Sequence, residues 1–236
     1  MMAVSGFHEF KTRDDLAEQL SQDIHDRLLP DLEEMVFASV ALSGGSTPGK
    51  MLERLGSKLG ELGEMVYFAM VDERYVPIDD TRSNEAMIKA ALGLTNHPET
   101  EFLSLHQTGL DVEQAAQRAN AQLHEDDELP FDVVTLGLGT DGHTASFFPG
   151  APNLDQLVSD NAEGPYLATI APLQQEARLT LTLPYIVSAG FLVLHIEGDE
   201  KRTVFEQALQ DGPAEEMPIR HALRHPHAHV QVYWAP

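Results

Sequence analysis

Four short runs of apolar, strand-forming residues constrain this chain more than anything else in it. VFASVAL (36–42), MVYFAMV (65–71), FDVVTLGLG (131–139) and GFLVLHIEG (190–198) are nearly continuous in hydrophobicity rather than alternating. That pattern belongs to strands covered on both faces. Between the runs lie stretches of helical character. Thr12, Asp14 and Asp15 read as a helix start, and Leu16, Leu20, Ile24 and Leu28 then fall on one face until Pro30. Pro48 fits the first position of an amphipathic helix reaching about residue 60. Residues 83–92, 111–125 and 199–210 also read as helices, and RLTLTL (178–183) and HVQVYW (229–234) as further strands. Strands alternating with helices of 10–15 residues require crossover connections, which predicts an α/β fold with a mostly parallel sheet flanked by helices. No repeat, low-complexity tract or Pro/Gly linker divides the sequence, so residues 1–236 are expected to form a single α/β domain. The acidic run EDDE at 125–128 reads as a solvated loop.

Charge narrows the partners. With 38 Asp and Glu against 15 Lys and Arg, the net charge is −23. Such a surface repels nucleic acid and anionic membranes alike, and neither is expected as a partner. An anionic substrate would have to be caught by local positive charge. The absence of cysteine excludes disulfides, thiolate catalysis and sulfur-based zinc sites. No apolar run approaches the roughly 20 residues of a membrane-spanning helix, and MMAVSGFHEFKTRDD has neither the basic start nor the apolar stretch of an export signal. A soluble cytoplasmic protein is expected.

In open α/β sheets, ligands sit beyond the carboxyl ends of the strands. Three segments that follow predicted strands carry unusual chemistry: 43–47, 72–82 and 139–150. In SGGST (43–47), Gly44 and Gly45 allow backbone N–H groups to approach an anion. Ser43, Ser46 and Thr47 add hydroxyls, and the helix opening at Pro48 favours negative charge. The same residues also fit a plain tight turn with Thr47 as N-cap. Asp72, Glu73 and Arg74 stand at a strand end, where three charges either serve a site or mark the return to solvent; Asp72, next to the apolar run, has the better claim on a site. Gly137, Gly139 and Gly142 formally match G-x-G-x-x-G. Pro149 and Gly150 stop the chain before the long helix that a dinucleotide site needs, so that reading is rejected. What remains is a glycine-rich turn presenting Asp141 and His143, a pair suited to proton transfer. His221, His225, His227 and His229 raise a metal reading, with His227 and His229 on one face of a strand. No carboxylate accompanies them at helical spacing, and no metal is expected.

LSGGSTP (42–48), VDER (71–74) with SNEAM (83–87), LGLGTDGHTASFFPG (136–150), RLTLTLPYI (178–186) and GDEKRTVFEQAL (198–209) occur in the order found in 6-phosphogluconolactonases. The chain resembles that family over nearly its whole length. The resemblance implies the fold shared with glucosamine-6-phosphate deaminases, ribose-5-phosphate isomerases and CoA-transferase-like proteins. It also implies hydrolysis of the δ-lactone of 6-phosphogluconate in the oxidative pentose phosphate pathway, with a sugar phosphate as the small-molecule partner and no cofactor. By the same resemblance His143 would be the general base and Asp141 would set its orientation. Ser43, Gly44, Gly45, Ser46 and Thr47 would hold the phosphate with Lys201 and Arg178. Arg74 would grip phosphate or stabilise charge on the carbonyl oxygen, and Asp72 would contact sugar hydroxyls. Two alternatives stand beside this one. A glucosamine-6-phosphate deaminase would need a glutamate where this chain has Phe147-Phe148-Pro149, and Phe147 stands where the lactonases more often have leucine. A non-catalytic sugar-phosphate sensor would carry a DNA-binding helix pair, for which the chain has neither length nor basic surface.

Overall fold

The computed structural model describes residues 3–97, 99–125 and 129–236. In chain order these form β1 (Val4–Glu9), α1 (Arg13–Glu33), β2 (Ala38–Leu42), α2 (Gly49–Leu59), β3 (Val66–Met70), β4 (Asp72–Arg74), α3 (Asn84–Leu92) and α4 (Val112–Glu125). There follow β5 (Val133–Leu136), α5 (Leu154–Leu157), β6 (Tyr166–Ala171), β7 (Glu176–Leu181), α6 (Leu183–Val187), β8 (Phe191–Glu197), α7 (Asp199–Ala208), α8 (Ile219–Arg224) and β9 (Val230–Ala235). Most of the EDDE run, residues 126–128, lies outside the described residues.

Six strands make one sheet in the order β1-β9-β8-β5-β2-β3, and every neighbouring pair in it is parallel. The apolar runs are its interior. All residues of β2, β3 and β5 are buried, as continuous hydrophobicity requires of strands covered on both faces. From β2 the chain moves outward to β3, whereas from β5 it moves the other way, through β8 to β9. The order therefore reverses between β2 and β5, and the loops that leave these two strands diverge around a crevice.

α1 packs against β2, β5 and β9 and against α2. Its inner face is Leu16, Leu20, Ile24, Leu28 and Leu32, each at most 1% exposed. Each such burial is worth about 1.5–3 kcal/mol. Thr12 caps the start by accepting from the Asp15 backbone N–H at 3.1 Å, a contribution of about 1 kcal/mol. The helix does not stop at Pro30 but runs three residues further, to Glu33. A proline in the last turn removes a single backbone donor, and the burial of Leu32 outweighs that loss.

A second, antiparallel sheet of three strands, β4-β7-β6, is the feature that patterning did not foresee. The segment 72–82 was expected to be loop, yet its first three residues pair with β7: Asp72 with Thr180, Glu73 with Leu179 and Arg74 with Arg178. Backbone pairing to an existing strand overrides the low strand propensity of three consecutive charges. Among the described residues, no helix is long and apolar enough to cross a membrane.

Candidate active site

The loops after β2 and β5, the face of the small sheet and the start of α7 enclose a cavity of about 350 Å³ at the carboxyl edge of the large sheet. Ser43 to Thr47, Asp72, Arg74, His143, Arg178 and Lys201 all contribute to its wall. The structure thus brings together every expected site residue except Asp141, which stands directly behind His143.

His143 is held from behind. Its Nδ1 lies 2.5 Å from Asp141 Oδ1, and its backbone N–H donates to the same oxygen at 3.1 Å. Burial pushes the Asp141 carboxyl up, but the hydrogen bonds and charge of His143 outweigh it and leave its pKa below the ordinary carboxylate value. An ionised carboxylate only accepts, so the imidazole proton resides on Nδ1 and Nε2 keeps its lone pair. The ring also packs on Phe148, with centroids 4.6 Å apart. Gly139 is obligatory here, because a Cβ on it would collide with the His143 ring and the Asp141 carboxylate.

The small sheet supplies charge. Arg74 and Arg178 are opposite each other in register, so two guanidinium-bearing side chains share one face. Arg74 Nη1 donates to the Asn84 side-chain oxygen at 2.7 Å and to the Arg82 carbonyl at 2.8 Å. Arg178 pairs with Glu176 at 2.8 Å and lies 3.8 Å from Asp72, while its Nε is buried without a partner. Asp72 accepts from Ser146 Oγ at 2.6 Å. Lys201, in the first turn of α7, donates to the Leu138 carbonyl. Burial pulls its ammonium below the ordinary lysine pKa, against the opposing charges of Glu200 and Asp141.

In the SGGST loop the hydroxyls are not equivalent. Ser43 Oγ donates to the Thr135 carbonyl at 2.6 Å, and its backbone N–H donates to Thr135 Oγ1. Its proton is therefore committed to β5, and only its lone pairs face a ligand. Pro48, not Thr47, occupies the N-cap of α2, with no side-chain capping bond. Ser46 and Thr47 thus keep their hydroxyls for the cavity. Gly44 is pressed against Asn84, where a Cβ would clash.

Residues 11–234 match the family described as glucosamine-6-phosphate isomerases/6-phosphogluconolactonase. The chain belongs to this family. A 6-phosphogluconolactonase of Rhizobium meliloti (strain 1021) is 38% identical over 232 residues, 98% of this chain and 99% of that protein. One of Mesorhizobium japonicum is 40% identical over 230 residues, 98% of this chain and 95% of the other. The crystal structure of a 6-phosphogluconolactonase from Shewanella baltica OS155 superposes with a TM-score of 0.89 at 32% identity, covering 98% of each chain. The parallel sheet with flanking helices is thus the fold of the family, as the sequence blocks implied.

Several residues that support the site were given no role in the sequence reading, although Glu73 stood in the charged triplet weighed there. Asn84 orients Arg74 and donates to the Asp72 carbonyl at 2.9 Å. Glu73, 1% exposed, accepts from the backbone N–H groups of Arg74, Asn84 and Glu85 and from Ser83 Oγ, at 2.7–3.0 Å. Burial pushes its carboxyl pKa up even against those bonds. Ser146, Thr135, Gln174 and His195 also belong to the site. For His195 there was a signal, a polar residue inside an apolar strand. For Ser146 there was none, since its contact with Asp72 spans 74 positions.

The four C-terminal histidines do not assemble. His225 bonds Asp160 at 2.9 Å, His229 approaches Ser5 at 3.4 Å, and β9 begins only at Val230, after His227 and His229. Among the described residues, three potential metal ligands converge only at the exposed Glu64, His97 and Glu99. None of those three lines the cavity that holds His143.

Proposed function

We propose that the chain hydrolyses 6-phospho-D-glucono-1,5-lactone to 6-phospho-D-gluconate in the oxidative pentose phosphate pathway, with His143 as the general base. One observation carries the reading: an imidazole backed by an ionised carboxylate shares a 350 Å³ cavity with Lys201, Arg74 and Arg178. A base alone would suit many reactions, and cations alone would suit any anion. Together they fit an electrophilic ester that carries a phosphate.

His143 Nε2 takes a proton from water as that water attacks the lactone carbonyl carbon. Asp141 stabilises the imidazolium that forms. Arg74, fixed by Asn84, offers its remaining donors to the oxygen on which charge develops. The tetrahedral intermediate then collapses, the bond to the ring oxygen breaks, and that oxygen recovers the proton from His143. The SGGST loop, Lys201 and Arg178 hold the phosphate, and Asp72, buttressed by Ser146, accepts from sugar hydroxyls. A δ-lactone is an activated ester, so one base worth about 10²–10⁴-fold, with positioning and oxyanion donors, suffices without metal or covalent nucleophile.

Deamination would need a proton-transferring side chain after the DGH turn. Phe147 and Phe148 stand there, 0% and 9% exposed, and neither can move a proton. With this reading go a cytoplasmic location, a sugar phosphate as partner, no nucleic-acid or membrane binding, and the whole chain acting as one domain. A core continuous from Leu16 to Ala235 supports the last point.

The test generates the lactone in situ from glucose 6-phosphate with a dehydrogenase and follows its disappearance. The protein should accelerate it, and His143→Ala should lose most of kcat with little change in KM. Ammonia released from glucosamine 6-phosphate, with no lactone consumed, would overturn the reading.

A further inference from the structure

Arg82 ends the turn between β4 and α3, 57% exposed and outside the wall of the catalytic cavity. Its guanidinium is held from two sides. One edge grips Asp80, with Nε at 3.0 Å and Nη2 at 2.7 Å, and the Arg82 backbone N–H donates to the same carboxylate at 2.9 Å. These bonds bring the Asp80 carboxyl down to about 2, so it is ionised. Nη1 reaches across to β7, where it donates to Glu176 Oε1 at 2.5 Å. The other Glu176 oxygen lies 2.8 Å from Arg178 Nη2. A single carboxylate, 16% exposed, therefore bridges an arginine outside the cavity to one that lines it.

Electrostatics gives this bridge a direction. Arg178 is buried, and burial pulls its guanidinium below the ordinary arginine pKa, against the opposing charges of Asp72 and Glu176. A desolvated cation of this kind gains from an anionic ligand. A Glu176 answering Arg178 alone would compete with that ligand for the same guanidinium. Arg82 shares the carboxylate from outside through a charge-assisted bond and so reduces the competition. A second link joins the turn to the site: the Arg82 carbonyl accepts from Arg74 Nη1 at 2.8 Å. That contact belongs to the backbone, so any side chain at position 82 keeps it.

We propose that Arg82 is a positioning residue that acts through Glu176: its guanidinium shares that carboxylate and keeps the Arg178 charge available to the phosphate of the substrate. The identity of that ligand rests on the lactonase reading.

A double-mutant cycle of Arg82→Gln, Glu176→Gln and the pair tests the coupling. Binding of 6-phosphogluconate and of inorganic phosphate is measured by calorimetry, with thermal melting as the control for folding. Arg82→Gln should weaken 6-phosphogluconate binding and raise KM about two- to fivefold, the range for a solvent-screened ion pair. Its kcat should stay within about twofold, because Arg74 keeps its backbone anchor. Arg82→Lys, which retains a cation for Glu176, should recover part of the affinity. In the Glu176→Gln background no carboxylate is left to share, and adding Arg82→Gln should leave binding unchanged. Unaltered affinity in Arg82→Gln alone would overturn the inference. So would an equal loss in both backgrounds, which would mark long-range attraction by the Arg82 charge itself, or a fall in kcat alone, which would place its role at Arg74. If the parent binds inorganic phosphate but not 6-phosphogluconate, the lactonase reading falls and the cycle is read on phosphate. Binding of neither would overturn both.

Discussion

Replacing Asp141 by asparagine isolates the electrostatic part of the catalytic pair, because the side chain keeps its shape and one acceptor. In the parent a single carboxylate oxygen takes two bonds, 2.5 Å from the His143 ring and 3.1 Å from its backbone N–H. A hydrogen bond to a charged group is worth about 1.5–3 kcal/mol, and each 1.36 kcal/mol is tenfold in rate. In a fully buried triad the equivalent change costs about 10⁴ in kcat, because the amide selects the wrong tautomer. Asp141 is 42% exposed, so solvent screens part of the interaction. The expected loss for Asp141→Asn is therefore about 10- to 100-fold in kcat, with KM within about twofold. The pH dependence separates chemistry from folding. The folded pKa of Asp141 is depressed, so its contribution to stability is complete above the unfolded value near 3.9 and is lost only as pH falls through the lower folded value. At pH 7 the parent and variant should therefore share the same slope of stability against pH while differing in kcat. Steady-state rates on lactone generated in situ and melts from pH 5 to 8 make the comparison. A variant with kcat within twofold of the parent would refute the role of Asp141.

If Lys201 holds the phosphate as proposed, Lys201→Met should raise KM about tenfold or more and leave kcat nearly unchanged; equal KM values would move the phosphate elsewhere. Phe148→Leu removes the ring on which His143 rests at 4.6 Å, a contact worth about 0.5–1.5 kcal/mol. The expected result is a two- to tenfold fall in kcat with melting little affected, and full activity would show that Asp141 alone orients the base. Glu73→Ala leaves three buried backbone N–H groups without their acceptor. At about 1 kcal/mol or more each, the melting temperature should drop by roughly 6–12 °C, and an unchanged melt would mean that water replaces the carboxylate. Because burial raises the folded pKa of Glu73, its protonated form favours folding. That contribution is present below the unfolded pKa and lost as pH rises through the folded one, so Glu73→Gln should flatten stability against pH just above pH 4.5.

The large sheet was readable because burial on both faces leaves a signal in every residue of β2, β3 and β5. β1 left none. It is an edge strand, mostly exposed, that exists only by pairing with β9, more than two hundred residues away. β4 was hidden for the same reason, as a charged triplet that is strand only where β7 lies alongside. The boundaries slipped where apolar residues were not core: Val36 and Phe37 extended the predicted strand, yet they are 52% and 49% exposed, and β2 begins after them.

The same division runs through the site. Asp141, Gly142 and His143 are neighbours, so a local motif could announce them. Arg178 and Arg74 were legible only as separate charges, and what makes them a site is their register on β4 and β7. Opposed like charges are destabilising in a sheet unless something answers them. Here Glu176 and Asp72 answer on one side. The buried Arg178 Nε and His195 Nδ1 have no hydrogen-bond partner, and both residues line the cavity. In a chain of net charge −23, carboxylates that could meet the Arg178 guanidinium are plentiful, and the absence of an acceptor at its Nε is a cost that folding alone does not explain. The proposed anionic ligand would supply charge and an acceptor to the guanidinium. The protein's surface field discourages anions in general, so the selectivity for one of them has to be built from these few unfilled positions.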